Sequence, residues 1–258
     1  MINLKNKIAA SEIVFVSFPK SGRTWIRFFL AKYFELKANI PFDMELTSNK
    51  IIFTHDYFEL FQDVDGVPFI LFREQLLFKK VAIILRDPRD VAVSYYYQKK
   101  SREKVLPNDM TVDEFVLSEI YGVERLSIFM LQLLSCNEYE MFDSIVLVKY
   151  EDLLKNPIVI FKQLLTFMGI EIDQDILLRA TNASSFEAMR EFELNVLSNN
   201  KQVENSRLGI PDWDGNMDSL KVRDCKHGLF LDELKPETIE KMNTGYTKKL
   251  LEKLNITI

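Results

Sequence analysis

The sequence predicts a single α/β domain built on a central parallel sheet with helices on its faces. Three short apolar runs, rich in β-branched residues and nearly continuous, are typical of buried parallel strands: Ile13–Phe18, Val81–Leu85 and Ile145–Val148. After each run comes a stretch whose apolar residues have helical spacing. A repeated alternation of strand and helix indicates a parallel sheet covered by helices. A fourth strand is predicted at Lys50–Thr54.

The predicted helices are read from the same periodicity. They are "TWIRFFLAKYFEL" after the first strand, "DPRDVAVSYYYQKK" after the run at 81–85 and "YEDLLKNPIVIFKQLLTFMGI" after the run at 145–148. The last third of the chain is predicted to be mainly helical and to end on the amphipathic stretch "EKMNTGYTKKLLEKLN".

Composition restricts the class of protein. The chain has 258 residues, of which 47% are hydrophobic and 28% charged, so we expect residues 1–258 to form one globular domain with a sizeable core. The net charge of −5 disfavours a nucleic-acid partner held by overall basic charge. No apolar run approaches the ~20 residues that span a bilayer, no signal peptide is recognisable, and Cys136 and Cys225 indicate no disulfide framework. We therefore expect a cytoplasmic protein without a membrane partner, whose oligomeric state stays open.

The segment after the first strand, "PKSGRT", has the composition of an anion site. Ligands of open α/β sheets bind at the carboxyl ends of strands, where the free N–H groups of a tight turn and a helix start attract anions. Gly22 permits close approach of the backbone, Lys20 adds a point charge, and Ser21 and Thr24 add hydroxyl donors. Trp25 suits either stacking on a purine ring or anchoring the core. The alternative is an ordinary strand-to-helix turn with a surface lysine.

The segment "LRDPRDVAVS" repeats this pattern after a second strand. Asp87 suits an N-cap, and Asp90, three residues later, makes the helix start resemble a capping box. Arg86 is then held at the strand end, beside the first loop if the two strands are neighbours, with Ser94 two helical turns further on. Such an arginine and serine suit a second phosphate. Alternatively, Arg86 and Arg89 form only surface ion pairs with the two aspartates.

Taken together, the two segments resemble the donor-binding motifs of the PAPS-dependent sulfotransferases, where PAPS is 3′-phosphoadenosine 5′-phosphosulfate. "FPKSGRTW" is similar to the family's 5′-phosphosulfate loop, Tyr-Pro-Lys-Ser-Gly-Thr-Thr-Trp, and "RDPRDVAVSYY" is similar to its 3′-phosphate motif, Arg-Asn-Pro-Lys-Asp-Val-Ala-Val-Ser. The resemblance implies a P-loop-NTPase-like sulfotransferase fold. It also implies that Lys20 stabilises the bridging oxygen as the product PAP leaves.

The resemblance extends to a catalytic base and to further donor-binding residues. "IIFTH" resembles the family's Thr-His segment, which makes His55 the general base, a role that an imidazole with a near-neutral pKa suits. "VKYEDLL", "SSFEAMR" and "KVRDCKHG" resemble the segments around the adenine and the 3′-phosphate. The implied donor-binding residues are Lys20, Ser21, Gly22, Arg23, Thr24, Trp25, Arg86, Ser94, Tyr150, Ser184, Ser185, Phe186 and Arg223, with Lys20 and His55 catalytic.

Two departures from the family pattern stand out. Arg23 replaces the usual Thr of the loop and either adds charge at the donor phosphate or points into solvent. Asp224 and Cys225 stand where Lys and Gly are usual, which leaves Arg223, alone or with help from Lys226, to bind the 3′-phosphate from that loop.

The function implied is transfer of a sulfuryl group from PAPS to a hydroxyl or amine of a small-molecule acceptor. No His, Cys, Asp and Glu residues have metal-ligand spacing, so we expect a reaction without a metal. The alternative, which the replacements at Asp224 and Cys225 motivate, is an inactive nucleotide-binding module with the same fold.

Overall fold

A parallel sheet of four strands forms the centre of the part of the chain that the structure describes. The structure is a computed structural model that describes residues 8–46, 50–55, 79–138, 144–198, 208–210 and 213–256, without the side chains of 136–138. The strands are β1 (Ile13–Ser17), β2 (Ile51–Thr54), β3 (Lys80–Leu85) and β4 (Ser144–Lys149), in the order β2-β1-β3-β4. Every neighbouring pair is parallel. The predicted α/β domain and its four strands are therefore confirmed.

Helices follow the strands and fill most of the carboxyl-terminal half. They are α1 (Arg23–Ala38), α2 (Pro88–Tyr97), α3 (Val112–Leu117), α4 (Val123–Glu138), α5 (Tyr150–Lys155), α6 (Pro157–Met168), α7 (Gln174–Ala183), α8 (Phe186–Ser198), α9 (Phe230–Glu233), α10 (Pro236–Met242) and α11 (Gly245–Leu254). A π-helix spans Gln98–Arg102 and a 3₁₀ turn spans Met217–Ser219. Within the described ranges, no helix has the length and apolar character needed to cross a membrane.

The helical stretch predicted after β4 is divided into two helices. Asn156 separates α5 from α6, with φ −149° and ψ 74°, outside the helical region. Pro157 causes the break, because a proline ring disfavours helical angles in the residue before it and has no N–H to donate. Proline then occupies the first position of α6, where the missing N–H is tolerated.

Both faces of the sheet are covered by helices. Alternate residues of β1 enter different cores: Val14 and Val16 pack with α2, α4 and α11, whereas Phe15 packs with α1, α6 and α7. Side chains of a strand point alternately to opposite faces, so a strand covered on both sides needs apolar residues at every position. Burial on both faces therefore explains why the strands are continuous apolar runs in the sequence.

Substitution of Phe161 tests the packing of the core on the α1 side of the sheet. Its side chain is 0% exposed, and its ring stacks on that of Phe29 with centroids 3.7 Å apart. Because truncation leaves a cavity, we expect Phe161→Ala to lower the free energy of unfolding by about 3–5 kcal/mol, measured by urea denaturation. Val159→Ala on the same helix, where the side chain is 43% exposed, is the control and should change it by less than about 0.5 kcal/mol. Equal losses would contradict the assigned packing.

Candidate active site

A cavity of about 250 Å³ lies at the carboxyl ends of β1 and β3. These strands are direct neighbours, with Ser17 paired to Ile84, so the segments that follow them meet at one edge of the sheet. The predicted site residues in the cavity wall are Lys20, Gly22, Arg23, Thr24, Trp25, His55, Arg86, Ser94, Tyr150, Phe186 and Arg223. Ser21, Ser184 and Ser185 are not among the wall residues.

The loop between β1 and α1 is a tight turn packed against an aromatic ring. Lys20 and Gly22 both have left-handed backbone angles, with φ 70° and φ 98°. A Cβ atom at Gly22 would lie 2.6 Å from Cδ2 of Tyr150, closer than atoms can approach. The Gly22 carbonyl accepts the N–H of Trp25 at 3.0 Å and starts α1. Glycine is required here both by the backbone angle and by the ring of Tyr150.

Arg86 joins the two predicted anion motifs. Its Nη1 donates to the carbonyl of Lys20 at 3.2 Å and lies 3.4 Å from Oγ of Ser94. The guanidinium lies 4.4 Å from the centroid of the Tyr150 ring, a cation–π contact. Its Nε is buried and has no hydrogen-bond partner among the described residues. A buried N–H of this kind is available to an acceptor atom of a ligand, and a guanidinium favours an anionic one.

The start of α2 differs in one respect from the prediction. Asp87 accepts the backbone N–H two residues on at 2.9 Å and caps the helix, as predicted. Its own N–H donates to Glu151 at 2.8 Å rather than to Asp90, so the predicted capping box is wrong. Asp90 instead accepts the N–H groups of Gly228 and Phe230, at 2.9 and 3.1 Å. It therefore holds the carboxyl-terminal loop against α2.

The arginines and aspartates of this segment do form ion pairs, but in the interior. Arg89 lies 2.8 Å from Asp87, and Arg86 lies 4.0 Å from Asp90, with all four side chains buried. The interpretation as surface ion pairs is therefore wrong. Burial removes the competition of water, so these carboxylates fix the orientation of the guanidinium groups.

His55 has the geometry of a proton acceptor. Its Nδ1 lies 2.9 Å from the carbonyl oxygen of Ser17. A carbonyl can only accept, so Nδ1 carries the proton and Nε2 keeps its lone pair. Burial, and next the charge of Arg23, hold the pKa of His55 well below its usual value. The imidazole is therefore neutral at physiological pH, in the form that a general base requires.

Two lysines concentrate positive charge in the cavity. Burial, followed by the charge of Arg102, lowers the pKa of Lys20 to about 8. Burial and the charges of Arg102 and Lys20 lower the pKa of Lys221 to about 7. Lys221 lies in the wall of the same cavity. Burial is the largest cause in both cases and the neighbouring cations add to it, so the cavity favours an anionic ligand over a cationic one.

The described residues hold no group of three or more His, Cys, Asp or Glu side chains placed to bind a metal ion. The expectation of a metal-free reaction stays a prediction.

Comparison with known proteins identifies the family. The family model described as the sulfotransferase domain matches residues 10–254. The chain belongs to the sulfotransferase family. Mouse sulfotransferase 6B1 is 23% identical over 199 residues, which cover 70% of this chain and 62% of the length of that relative. Dog sulfotransferase 1A1 is 23% identical over 266 residues, which cover 93% of this chain and 83% of the relative.

Solved structures show the same fold. Mouse sulfotransferase SULT7A1 complexed with PAP aligns with a TM-score of 0.63 at 17% identity and covers 97% of this chain and 94% of its own. Retinol dehydratase in a complex with retinol and PAP aligns with a TM-score of 0.61 at 17% identity and covers 95% of this chain and 82% of its own. The sulfotransferase fold implied by the sequence motifs is therefore confirmed.

Acidic side chains and an aromatic ring hold the loop around Arg223 in place. The Arg223 guanidinium lies 3.8 Å from the centroid of the Tyr97 ring, and its Nη1 lies 3.4 Å from Glu233 and 3.8 Å from Asp218. Its Nη2 is buried and finds no hydrogen-bond partner in the described part of the chain. Arg223 thus resembles Arg86, since each is anchored by protein contacts and retains one donor for a ligand.

The two unusual residues of that loop also line the cavity. Asp224 is exposed, and its Oδ1 accepts the N–H of Cys225 at 2.9 Å. The Cys225 thiol is free, half-buried and 3.8 Å from the hydroxyl of Tyr150. The Cys225 side chain therefore extends the wall that Tyr150 forms.

Two of the three predicted serines outside the cavity wall make local hydrogen bonds at helix ends. Ser184 donates to the carbonyl of Thr181 at 3.0 Å at the end of α7, and the Oγ of Ser185 accepts the N–H of Ala188 at 3.2 Å at the start of α8. Ser21 is fully buried, and its hydroxyl has no hydrogen-bond partner among the residues described. The donor-binding roles of these three residues stay predictions.

The Trp25 side chain packs in the core and also borders the cavity. Its side chain is 8% exposed and makes edge contacts with the rings of Tyr150 and Phe161, each at 6.2 Å between centroids. It also lies in the cavity wall. The two alternatives for this residue, core anchor and ligand contact, are therefore compatible.

Sequence reasoning missed part of the wall. The missed residues come from the π-helix and the residue after it, from α8 and from the loop before Arg223, and they include Gln98, Glu103, Met189, Lys221 and Val222. The one available signal was the position of Lys221, two residues before an arginine already assigned to the site.

Gly22 provides a test of the packed turn. We expect Gly22→Ala to weaken binding of inorganic pyrophosphate, an anionic probe, by about tenfold or more, because the added Cβ displaces Tyr150. Gly215→Ala is the matched control, since φ is 83° there and no atom lies within 4 Å of the added Cβ. Both variants should lose about 1–2 kcal/mol of unfolding free energy from the left-handed angle. Isothermal titration calorimetry measures the binding, and equal pyrophosphate affinities would contradict the geometry.

The lowered pKa values of Lys20 and Lys221 predict proton uptake on binding of an anion such as inorganic pyrophosphate. Below its pKa each ammonium is charged, so raising the pH through about 7 and then about 8 discharges Lys221 and then Lys20. A bound phosphate favours the charged forms, so both groups gain protons on binding at pH 8, and pyrophosphate affinity should fall as pH rises from 7 to 9. Calorimetry at pH 8 in buffers of different ionisation enthalpy measures the uptake. Binding without uptake would contradict the prediction.

Proposed function

We propose that this sulfotransferase transfers a sulfuryl group from PAPS to a hydroxyl, or an amine, of a small acceptor and releases PAP. The observation that carries the proposal is the meeting of Lys20, Arg86 and a neutral His55 in one cavity. PAPS carries anionic groups at two separated points, and the cavity offers cations from two separated motifs.

The donor fits the polar atoms that the protein leaves without partners. Among the described residues, Arg86 Nε, Arg223 Nη2 and Ser21 Oγ are buried without a hydrogen bond. In the proposed complex, Arg86, Ser94 and Arg223 bind the 3′-phosphate. The loop donors Lys20, Ser21, Gly22, Arg23 and Thr24 bind the 5′-phosphosulfate, and Trp25, Tyr150 and Phe186 contact the adenine.

The reaction then requires one proton transfer and one substitution at sulfur. His55 Nε2 takes the proton from the acceptor hydroxyl while the acceptor oxygen forms a bond to the sulfur of PAPS. The bond from that sulfur to the bridging oxygen breaks, and its electron pair stays on the 5′-phosphate of PAP. Lys20, with a pKa of about 8, is charged at neutral pH and stabilises the negative charge developing on that oxygen.

Positioning and charge account for most of the proposed rate enhancement. Sulfuryl transfer, like phosphoryl transfer, passes through a loose transition state that places negative charge on the leaving group. The contribution of the protein is therefore to align the donor with the acceptor and to place cations beside the leaving group. The hydrogen bond from His55 Nδ1 to Ser17 fixes the tautomer and the direction of the imidazole.

Substitution of Lys20 and His55 tests the proposal. We expect His55→Ala to lower kcat by about 10²- to 10⁴-fold, the usual contribution of a general base, while the Kd of PAP changes little. Lys20→Ala should lower kcat and also weaken PAP binding, since it removes a cation from the donor site. The assay follows radiolabelled PAPS across hydroxyl and amine acceptors.

The other described histidine supplies the control. His227 is half-exposed and outside the cavity wall, so His227→Ala should leave turnover unchanged. Full activity of His55→Ala would overturn its role as the base. Tight PAP binding with no transfer to any acceptor would favour the alternative, an inactive nucleotide-binding module.

A further inference from the structure

We propose that Tyr97 and Glu233 are positioning residues for Arg223, and that together they make the cavity selective for a nucleotide with a 3′-phosphate. The inference rests on the proposed function, in which Arg223 binds the 3′-phosphate of the donor. It adds two residues that the proposed function does not use, and both act through Arg223 rather than on the ligand itself.

The ring of Tyr97 forms the surface on which the Arg223 guanidinium lies. The central carbon of the guanidinium is 3.8 Å from the centroid of that ring. Both side chains line the cavity, and the Arg223 side chain is 15% exposed. An aromatic face attracts a cation, and it does so more strongly where water is excluded. Tyr97 therefore limits where the guanidinium of Arg223 can lie.

Glu233 joins these two side chains through its carboxylate. Oε2 of Glu233 accepts the hydroxyl of Tyr97 at 2.6 Å, and Oε1 accepts from Nη1 of Arg223 at 3.4 Å. The three residues thus form a closed ring of contacts, in which aromatic ring, guanidinium and carboxylate each contact the other two. Holding a rotamer-rich side chain before the ligand binds lowers the entropy cost of binding.

The backbone of Arg223 is fixed as well. Arg190 donates to the carbonyl of Arg223 at 2.9 Å, and the buried carboxylate of Glu193 accepts the N–H of Val222 at 2.8 Å. Both partners belong to α8. Because the main chain is held in this way, the side-chain contacts decide where the guanidinium lies.

The acidic neighbours of Arg223 occupy only one of its nitrogen atoms. Asp218 and Glu233 both approach Nη1, at 3.8 and 3.4 Å. These distances are longer than the about 2.7–2.9 Å of a strong charge-assisted hydrogen bond. Nη2 is buried and has no hydrogen-bond partner among the residues that the structure describes. The carboxylates therefore orient the guanidinium and leave this donor available to a ligand.

Arg89, on the same helix as Tyr97, is an arginine whose donors the protein itself occupies. Its Nε and Nη2 donate to Asp87 at 3.0 and 2.8 Å, and its Nη1 donates to Asn243 at 3.0 Å. All three nitrogen atoms of its guanidinium thus have protein acceptors. Arg223 differs because a buried donor remains, and a buried donor without an acceptor is unfavourable until a ligand supplies one.

The position of Tyr97 on α2 connects Arg223 to the proposed 3′-phosphate site. Ser94 lies three residues earlier on this helix, and residues three apart share a helix face. Oγ of Ser94 lies 3.4 Å from Nη1 of Arg86. All four of these side chains line the cavity. Arg86 and Arg223 therefore approach the same face of α2 from different loops, which suits one phosphate bound by both.

The first experiment compares PAP with adenosine 5′-phosphate, which lacks only the 3′-phosphate. The preference for PAP, which is the ratio of the two affinities from isothermal titration calorimetry, measures the contribution of the 3′-phosphate. Tyr97→Leu removes the ring and the hydroxyl, so we expect it to lower the preference about tenfold. Tyr97→Phe removes the hydroxyl alone and should lower it about threefold. Equal weakening of both nucleotides, as a merely structural role predicts, would overturn the proposal.

Tyr96→Phe is the matched control for the hydroxyl. Tyr96 donates to the carbonyl of Met110 at 3.0 Å and is not among the wall residues of the cavity. Its preference for PAP should stay within about twofold of that of the original protein. Equal losses in Tyr96→Phe and Tyr97→Phe would overturn the role of the Tyr97 hydroxyl. If Tyr97→Leu does not fold, Tyr97→Phe remains the test, since it keeps the ring.

Substitution of Glu233 separates positioning from charge. Glu233→Ala should lower the preference for PAP about threefold to tenfold, because Arg223 and Tyr97 lose their shared acceptor. Glu233→Gln keeps an acceptor oxygen and should restore part of it. If Glu233 only offset the charge of Arg223, both variants would raise the preference, and that result would overturn the positioning role. Asp214→Asn, in an exposed ion pair with Lys104, controls for net charge and should leave the preference unchanged.

Arg223→Met tests whether these effects act through the arginine. It should lower the preference for PAP about 10- to 100-fold, the range for a hydrogen bond to a charged group, and adding Tyr97→Phe should lower it no further. A further loss in the double variant would overturn the positioning role. Wild-type protein with no preference for PAP, or an unchanged preference in Arg223→Met, would overturn the proposed 3′-phosphate site together with this inference. A loss in Arg223→Met with no loss in the Tyr97 and Glu233 variants would overturn this inference alone.

Discussion

The packing of Tyr150 against Gly22 is the contact on which the rest of the site depends. Tyr150 follows β4, Gly22 follows β1 and Arg86 follows β3, so the ring joins the ends of three strands. The missing side chain at Gly22 lets the ring touch the loop, and the guanidinium of Arg86 then lies against the same ring. Because Arg86 also donates to the carbonyl of Lys20, the turn that carries the proposed leaving-group lysine is fixed by tertiary contacts rather than by its own sequence.

Two buried carboxylates hold the carboxyl-terminal loop at its two ends. Glu193 accepts N–H groups at the start of the segment Lys221–Phe230, and Asp90 accepts N–H groups at its end. Burial raises the pKa of Asp90, as expected of a carboxylate withdrawn from water. Each acid also lies near an arginine, Asp90 at 4.0 Å from Arg86 and Glu193 at 3.1 Å from Arg102, so the same carboxylates hold both the loop and the guanidinium groups. Arg223 lies between the two anchors in the chain.

The sequence predicted the strands because each is a short apolar run that periodicity detects, and it predicted the N-cap at Asp87 because capping is local. The capping box with Asp90 was wrong because Glu151, far along the chain, competes for the same N–H. The place of Lys221 in the cavity wall and the hydrogen bonds of Glu193 to the backbone were missed for a similar reason. A buried glutamate that binds backbone N–H groups has no signature in its own helix, and the cavity that Lys221 lines exists only once α2, α8 and the loop are assembled.

The sequence by itself determined the fold class, the two anion motifs at strand ends and the histidine after β2, since each depends on a few consecutive residues. The tertiary structure decided which buried donors stay without a protein partner, and among the described residues of the cavity region these include Ser21 Oγ, Arg86 Nε and Arg223 Nη2. It also decided that His55 carries its proton on Nδ1, through the carbonyl of Ser17 on a neighbouring strand. The physical reason is the strand order β2-β1-β3-β4, which brings together residues that are distant in the chain and which local periodicity does not encode.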